Sequence, residues 1–258
     1  MRNKGNQVDI ARLNNTINGK PAPQEIKNDL FAGQQRDGGW SPFWAKNYSS
    51  LDATCYRLAQ ADQLGILASE DAIQKAIAFL IERQRTDGSW EEDKHFASNA
   101  PPWVQSGEID SRLYLSANCG FWLAILAEVK TAADKTATYL QSNIDEHGKF
   151  QSFPHTHWLA ISLWYRLGWK DPVKRVSSWL LAEIPGLPSS NLAWLLVAFE
   201  TAGFPAHDPF VVLAAEHLAK SQQSDGHWVS GDGPEQDVHS TLEAIRALKY
   251  AGQLSKTH

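Results

Sequence analysis

Thirteen residues before the glycine that closes an apolar segment, this chain repeatedly places a side chain able to give, take or bind a proton. Asp52 precedes Gly65, His155 precedes Gly168, Ser190 precedes Gly203 and His239 precedes Gly252 at that interval. A further segment ends on Lys130 instead of glycine, and the same count lands on Ala117, flanked by the polar Ser116 and Asn118. An aspartate at this place has two uses. Its carboxylate can cap a helix start, or a desolvated, protonated form can act as a general acid. Glu108 and Asp110 are a second source of acid, at the end of a long polar insertion, residues 91–115. Loops of that length usually carry function. Two close carboxylates can share one proton, whereas solvated ones merely favour a helix N-terminus.

Four residues further along the same segments stand Tyr56, Phe121, Leu159, Trp194 and Glu243, with Trp122 and Trp158 nearby. Aromatic faces stabilise cations, and the same stripe also packs an ordinary core. His155, His157 and His239 have no cysteine near them in sequence to complete a zinc site. No Asp-Asp-x-x-Asp cluster for magnesium occurs either. Neither a metal nor another cofactor is expected.

These residues must be held by helices, because every apolar segment has helical length and no strand pattern is present. The segments are 49–65, 114–130, 152–168, 188–203 and 237–252. Each is apolar nearly all round, and each follows a more amphipathic stretch such as 71–84, where Ile73, Ala76, Ile77, Leu80 and Ile81 form one stripe. Pro23, Pro172 and Pro209 open amphipathic helices, and the closing glycines follow apolar ones. Residues 7–19 read as an extra N-terminal helix. Between helices one word returns three times: QQRDGGW at 34–40, QRTDGSW at 84–90 and QQSDGHW at 222–228. Its glycine permits a tight turn, its Asp and Gln can bond free helix-end groups, and its Trp can pack between hairpins. Repeated hairpins without a polar concave face predict an all-α, single-domain α/α barrel over residues 1–258.

The three words resemble the QW motifs of the squalene-hopene and oxidosqualene cyclase superfamily, and SSLDAT (49–54) resembles the segment that follows them there. In size the chain is most similar to the monodomain class II terpene cyclases of meroterpenoid pathways. That resemblance implies protonation of a polyprenyl chain and a carbocation cascade through ring closures. It also implies an Asp-x-Asp-Asp acid motif, which is not present. The nearest echo, DVHSTLEAIRAL (237–248), has His239 in the donor's place. If the chain is a substituted form of such an enzyme, the missing acid stood at Ala117 or Asn118; if it is not, Asp52 or Asp110 gives the proton. His155 or His239 would orient that acid or take the final proton. Tyr56, Phe121, Trp122, His155, Trp158, Trp194 and Ser190 would line the substrate's cavity.

Composition sets the remaining bounds. A formal charge of −5 offers no footprint for nucleic acid. Two cysteines do not frame a disulfide scaffold, and MRNKGNQVDI lacks the apolar run of a leader or anchor, so a cytoplasmic protein is expected. The expected partner is a lipophilic prenylated small molecule, with transient membrane contact left open. Two other classes remain: a noncatalytic lipid-binding barrel, and an α/α-barrel carbohydrate-active enzyme, which needs Asp52 and Glu108 a few ångströms apart.

Overall fold

The computed structural model describes residues 5–128 and 130–254. Besides short 3-10 turns, the described residues form eleven α-helices: α1 Gln7–Asn18, α2 Gln24–Phe31, α3 Leu51–Gln63, α4 Asp71–Glu82, α5 Ile109–Leu126, α6 Thr131–Ser142, α7 Pro154–Leu167, α8 Lys170–Glu183, α9 Ser189–Ala202, α10 Pro209–Lys220 and α11 Asp237–Tyr250. The extra N-terminal helix and five successive pairs are present as the repeat requires. The only β features among the described residues are isolated bridges of Trp40 with Gln34 and Ser50.

Two compact units divide the chain. One takes residues up to 26, 63–65 and those from 180 onward; the other takes 27–62 and 66–179. In the second unit α5 packs on α7 and α6, and in the first α9 packs on α11 and α10 while α1 lies on α11. The alternation of amphipathic and apolar helices explains this. Helix α4 buries Ile73, Ala76, Ile77 and Leu80 but exposes Ile81, whereas α5, α7 and α9 are buried on nearly every side.

Helix ends follow local chemistry. Asn6 caps α1 through the Asp9 amide, with Asp9 returning the bond. Gly168 and Gly203 close α7 and α9 in the left-handed conformation. Helix α5 has no such glycine. Lys130 instead donates its ammonium to the carbonyls of Ala124 and Ala127, satisfying groups that a helix end leaves open.

The three turns that carry the repeated word follow the same backbone path, Gly38, Gly88 and Gly226 each donating to the carbonyl three residues back. The Trp90 indole donates to Leu80 O of the preceding helix, and the Trp228 indole to Leu218 O. Asp37, Asp87 and Asp225 each accept the amide two residues on. Gln34 and Gln84 hold their own turns through Gly38 O and Gly88 O, and reach forward to Ala72 O and Ala132 O. Each turn glycine has a positive φ, and Gly38 and Gly88 meet the following amphipathic helix so closely that a Cβ on Gly88 would lie 2.5 Å from Lys135 O.

A fourth copy, which sequence inspection misses, occupies residues 144–150. Gly148 has φ +84° and would touch Arg175 O, and the bonds Gly148 N to Asp145 O and Asp145 N to Lys149 O repeat those of Gly88 and Arg85. Ile144, His147 and Phe150 replace Gln, Asp and Trp. Only the glycine and the aromatic character survive as signals.

Candidate functional site

The amide that follows each turn fixes the register of the apolar helices. Trp40 N–H donates to Thr54 Oγ, Trp90 N–H to Ser116 Oγ, Phe150 N–H to His157 Nε2 and Trp228 N–H to Thr241 Oγ. Each hydroxyl also donates to the carbonyl four residues back. Equivalent positions two residues earlier are therefore Asp52, Tyr114, His155 and His239. This corrects the count that selected Ala117: α5 runs to Leu126 and closes with Lys130, so counting from that lysine falls three residues late. The residue one turn deeper in α5 is likewise Asn118 rather than Phe121.

His157 does the work of the repeated hydroxyl. Its Nε2 accepts from Phe150, its Nδ1 donates toward the Phe153 or Pro154 carbonyl at 3.3 Å, and its ring stacks on Trp179 at 4.1 Å. Burial lowers its pKa to about 4, below the ordinary value near 6.5. The unfolded chain then binds the proton first as pH falls, so this contribution is complete above about pH 6.5 and fades toward pH 4. From pH 7 to 5 the protein should lose about 2 kcal/mol of unfolding free energy through this group. Denaturant melts at both pH values should show that loss, and His157→Thr should flatten it. An unchanged slope in the variant would remove His157 as its source.

At the corrected positions of the second unit three polar groups meet. Asp52 is part-buried, accepting from Tyr114 OH at 3.0 Å on Oδ1 and from the Trp103 indole N–H at 3.3 Å on Oδ2. The Asn118 amide supports the Tyr114 oxygen at 3.3 Å, and His155 packs edge-on against the Tyr114 ring at 6.2 Å. Desolvation raises the Asp52 pKa, opposed by its two donors, and burial holds the Tyr114 phenol protonated. A carboxyl raised this way is suited to giving a proton.

Asp52 is not spent on capping its helix. Glu92 does that from the insertion: its carboxylate, 4% exposed, accepts the Asp52 amide together with Ser50 Oγ at 2.6 Å and Tyr48 OH at 2.5 Å. Sequence reading missed Glu92 and Trp103 because their partners lie some forty and fifty residues earlier. Next to this group, Cys55 Sγ and Cys119 Sγ approach to 3.7 Å as buried thiols, and burial pushes the Cys119 thiol up.

The other expected residues fall as follows. Asp110 accepts the amide of Ser111 at 2.7 Å, and Glu108 is exposed at the start of α5 without capping it. Ala117 is fully buried. Tyr56 is 51% exposed and accepts from Gln60, while Phe121 and Trp122 are buried edge to face and Trp158 is buried against His155. In the first unit, Ser190 accepts the Gly231 amide, Trp194 is half-buried, and His239 lies 3.4 Å from Glu243. Glu243 also accepts from Gln63, and the charge of His239 leads the effects that hold its pKa low despite burial. No group of three or more His, Cys, Asp or Glu converges among the described residues, and no described helix is long and apolar enough to cross a membrane.

Paired helices locked by repeated turns, with a part-buried carboxyl at the start of α3, define an all-α, α/α-type protein. The chain belongs to the A-macroglobulin TED domain family, whose match spans residues 28–165. Solved structures show the same fold over almost the whole chain. The type II terpene cyclase MstE from Scytonema in its apo form is 14% identical with a TM-score of 0.60, covering 96% of this chain and 88% of that one. A substituted MstE with merosterolic acid A (product) gives 15% and 0.64, and another with geranylgeranyl dihydroxybenzoate (substrate) gives 14% and 0.61, each covering 96% and 87%. No curated protein sequence matches.

Proposed function

We propose that this protein is a protonation-initiated, class II cyclase that folds a linear polyprenyl chain, carried on an aromatic acid, into fused rings. The observation that supports it most is Asp52, a carboxyl with a raised pKa whose two oxygens each accept one hydrogen bond. The QW words and the fold shared with MstE, which has been captured with geranylgeranyl dihydroxybenzoate, favour the same substrate class. The family match itself names no substrate.

In this reading the O–H bond of Asp52 breaks as a C–H bond forms at the terminal alkene, leaving a carboxylate and a carbocation. Ring closures pass the charge along the chain, and loss of a proton from the last cation gives an isomer of the substrate. Tyr114 and Trp103 hold the acid. Tyr56, Trp122 and Trp158 shield the cations, and His155 takes the final proton. The enzyme acts in the cytoplasm and needs no metal.

Incubating the purified protein with geranylgeranyl dihydroxybenzoate, geranylgeranyl diphosphate and squalene tests this. The expected result is a product of unchanged mass and shifted retention from the first substrate, with ring protons visible by NMR. Tight binding without conversion of any of the three would instead make the protein a noncatalytic lipid binder.

A further inference from the structure

We infer that Trp103 is a positioning residue of the acid, placed by the insertion between α4 and α5 to stabilise the carboxylate of Asp52 as its proton leaves. The inference rests on the protonation-initiated reading and adds a role for a segment that no other hairpin possesses.

The insertion is fastened around Trp103. Near its start, Glu91 pairs with Arg85 and Arg112 and accepts the Gly107 amide. In its middle, Val104 is fully buried and Ser111 Oγ donates to Pro102 O. Trp103 sits on the short 3-10 helix Pro102–Val104, preceded by Pro101 and Pro102. The residue is 40% exposed, so packing is not its main use, yet its indole N–H donates to Asp52 Oδ2. A large apolar ring left partly in water, with its one polar atom on a buried-type acid, is placed for that bond.

The chemistry gives this bond its direction. A donor to a neutral carboxyl makes an ordinary hydrogen bond, whereas the same donor to a carboxylate makes a charge-assisted one about twice as strong. The gain appears only as the O–H bond breaks, so it lowers the barrier rather than tightening substrate binding. Tyr114 serves Oδ1 in the same way from α5. The other groups around Asp52 are Glu92 at its backbone amide, Cys55 on its own helix, Asn118 and Cys119 on α5, and His155 beyond the Tyr114 ring. Trp103 does not titrate, so exchanging it for phenylalanine removes a donor and alters no charge.

The test compares wild type with Trp103→Phe, using protein labelled at the aspartate carboxyl carbons and the resonance that Asp52→Asn removes. In Trp103→Phe the Asp52 titration should move up by roughly one unit, the equivalent of one lost charge-assisted bond. Cyclisation by the variant should show kcat about tenfold lower, KM within about twofold, and an alkaline limb moved to higher pH. A ring that only shapes the loop would lower kcat and leave that limb in place. An Asp52 titration unmoved in the variant, alongside working cyclisation, overturns the role of Trp103 alone. A wild-type protein that cyclises none of the substrates overturns the reading beneath it.

Discussion

Asp52→Asn should reduce cyclisation at least about a thousandfold while leaving the melting temperature within a few degrees of wild type. The size follows from the step: without a transferable proton, the alkene has no route to the cation, and positioned general acids contribute roughly 10²–10⁴-fold even where alternatives exist. The mild effect on folding follows from the geometry. Asparagine keeps an oxygen that can accept from Tyr114 OH or the Trp103 indole, and the start of α3 is capped by Glu92 rather than by residue 52. Binding should survive, with KM for the prenylated substrate changed by less than about threefold. The same exchange at Asp110, whose carboxylate already accepts the Ser111 amide, should cost less than about tenfold. Steady-state rates for both variants decide between the two acids. A fully active Asp52→Asn protein would end the assignment of the proton to α3, and an inactive Asp110→Asn protein would transfer it to α5.

The second large effect concerns stability. Trp90→Ala should cost about 4 kcal/mol, because a fully buried indole is removed together with its bond to Leu80 O. Phenylalanine at the two buried sites separates these contributions. Trp90→Phe removes one of the two bonds that Leu80 O accepts, the other coming from the Arg83 amide, whereas the Trp40 indole N–H has no hydrogen-bond partner among the described residues and Trp40→Phe removes none. The first should therefore be the more destabilising by about 1 kcal/mol in urea melts. Equal losses would mean that ring volume alone sets the value of the word.

Much of the fold was legible because its signals are local. The closing glycines, the opening prolines and the contrast between one-sided and all-round apolar helices need only a few consecutive residues to read. The repeated word marked three turns for the same reason. The fourth escaped because Ile144, His147 and Phe150 keep the backbone of the turn while changing its letters, and a backbone path with φ +84° at Gly148 is written in one residue. Register in α5 failed for a related cause: a lysine side chain can satisfy a helix end that glycine satisfies elsewhere. At the site, Asp52 was visible as an acid at the head of an apolar helix. Its surroundings were not. Glu92, Trp103 and Tyr114 reach it from 40, 51 and 62 positions away, distances across which no spacing rule operates.

The forward reach of Gln34 and Gln84 bears on how the chain comes to be folded during synthesis. Each amide clasps a carbonyl 38 or 48 residues downstream, in a helix still to be made when the turn itself is synthesised. A newly made hairpin is thus provisional until its successor arrives and latches it, so assembly of this region should advance as a zipper from N- to C-terminus. Pausing translation just after Trp90 would leave the clasp of Gln84 empty and the α3–α4 segment open to proteases that the finished protein resists.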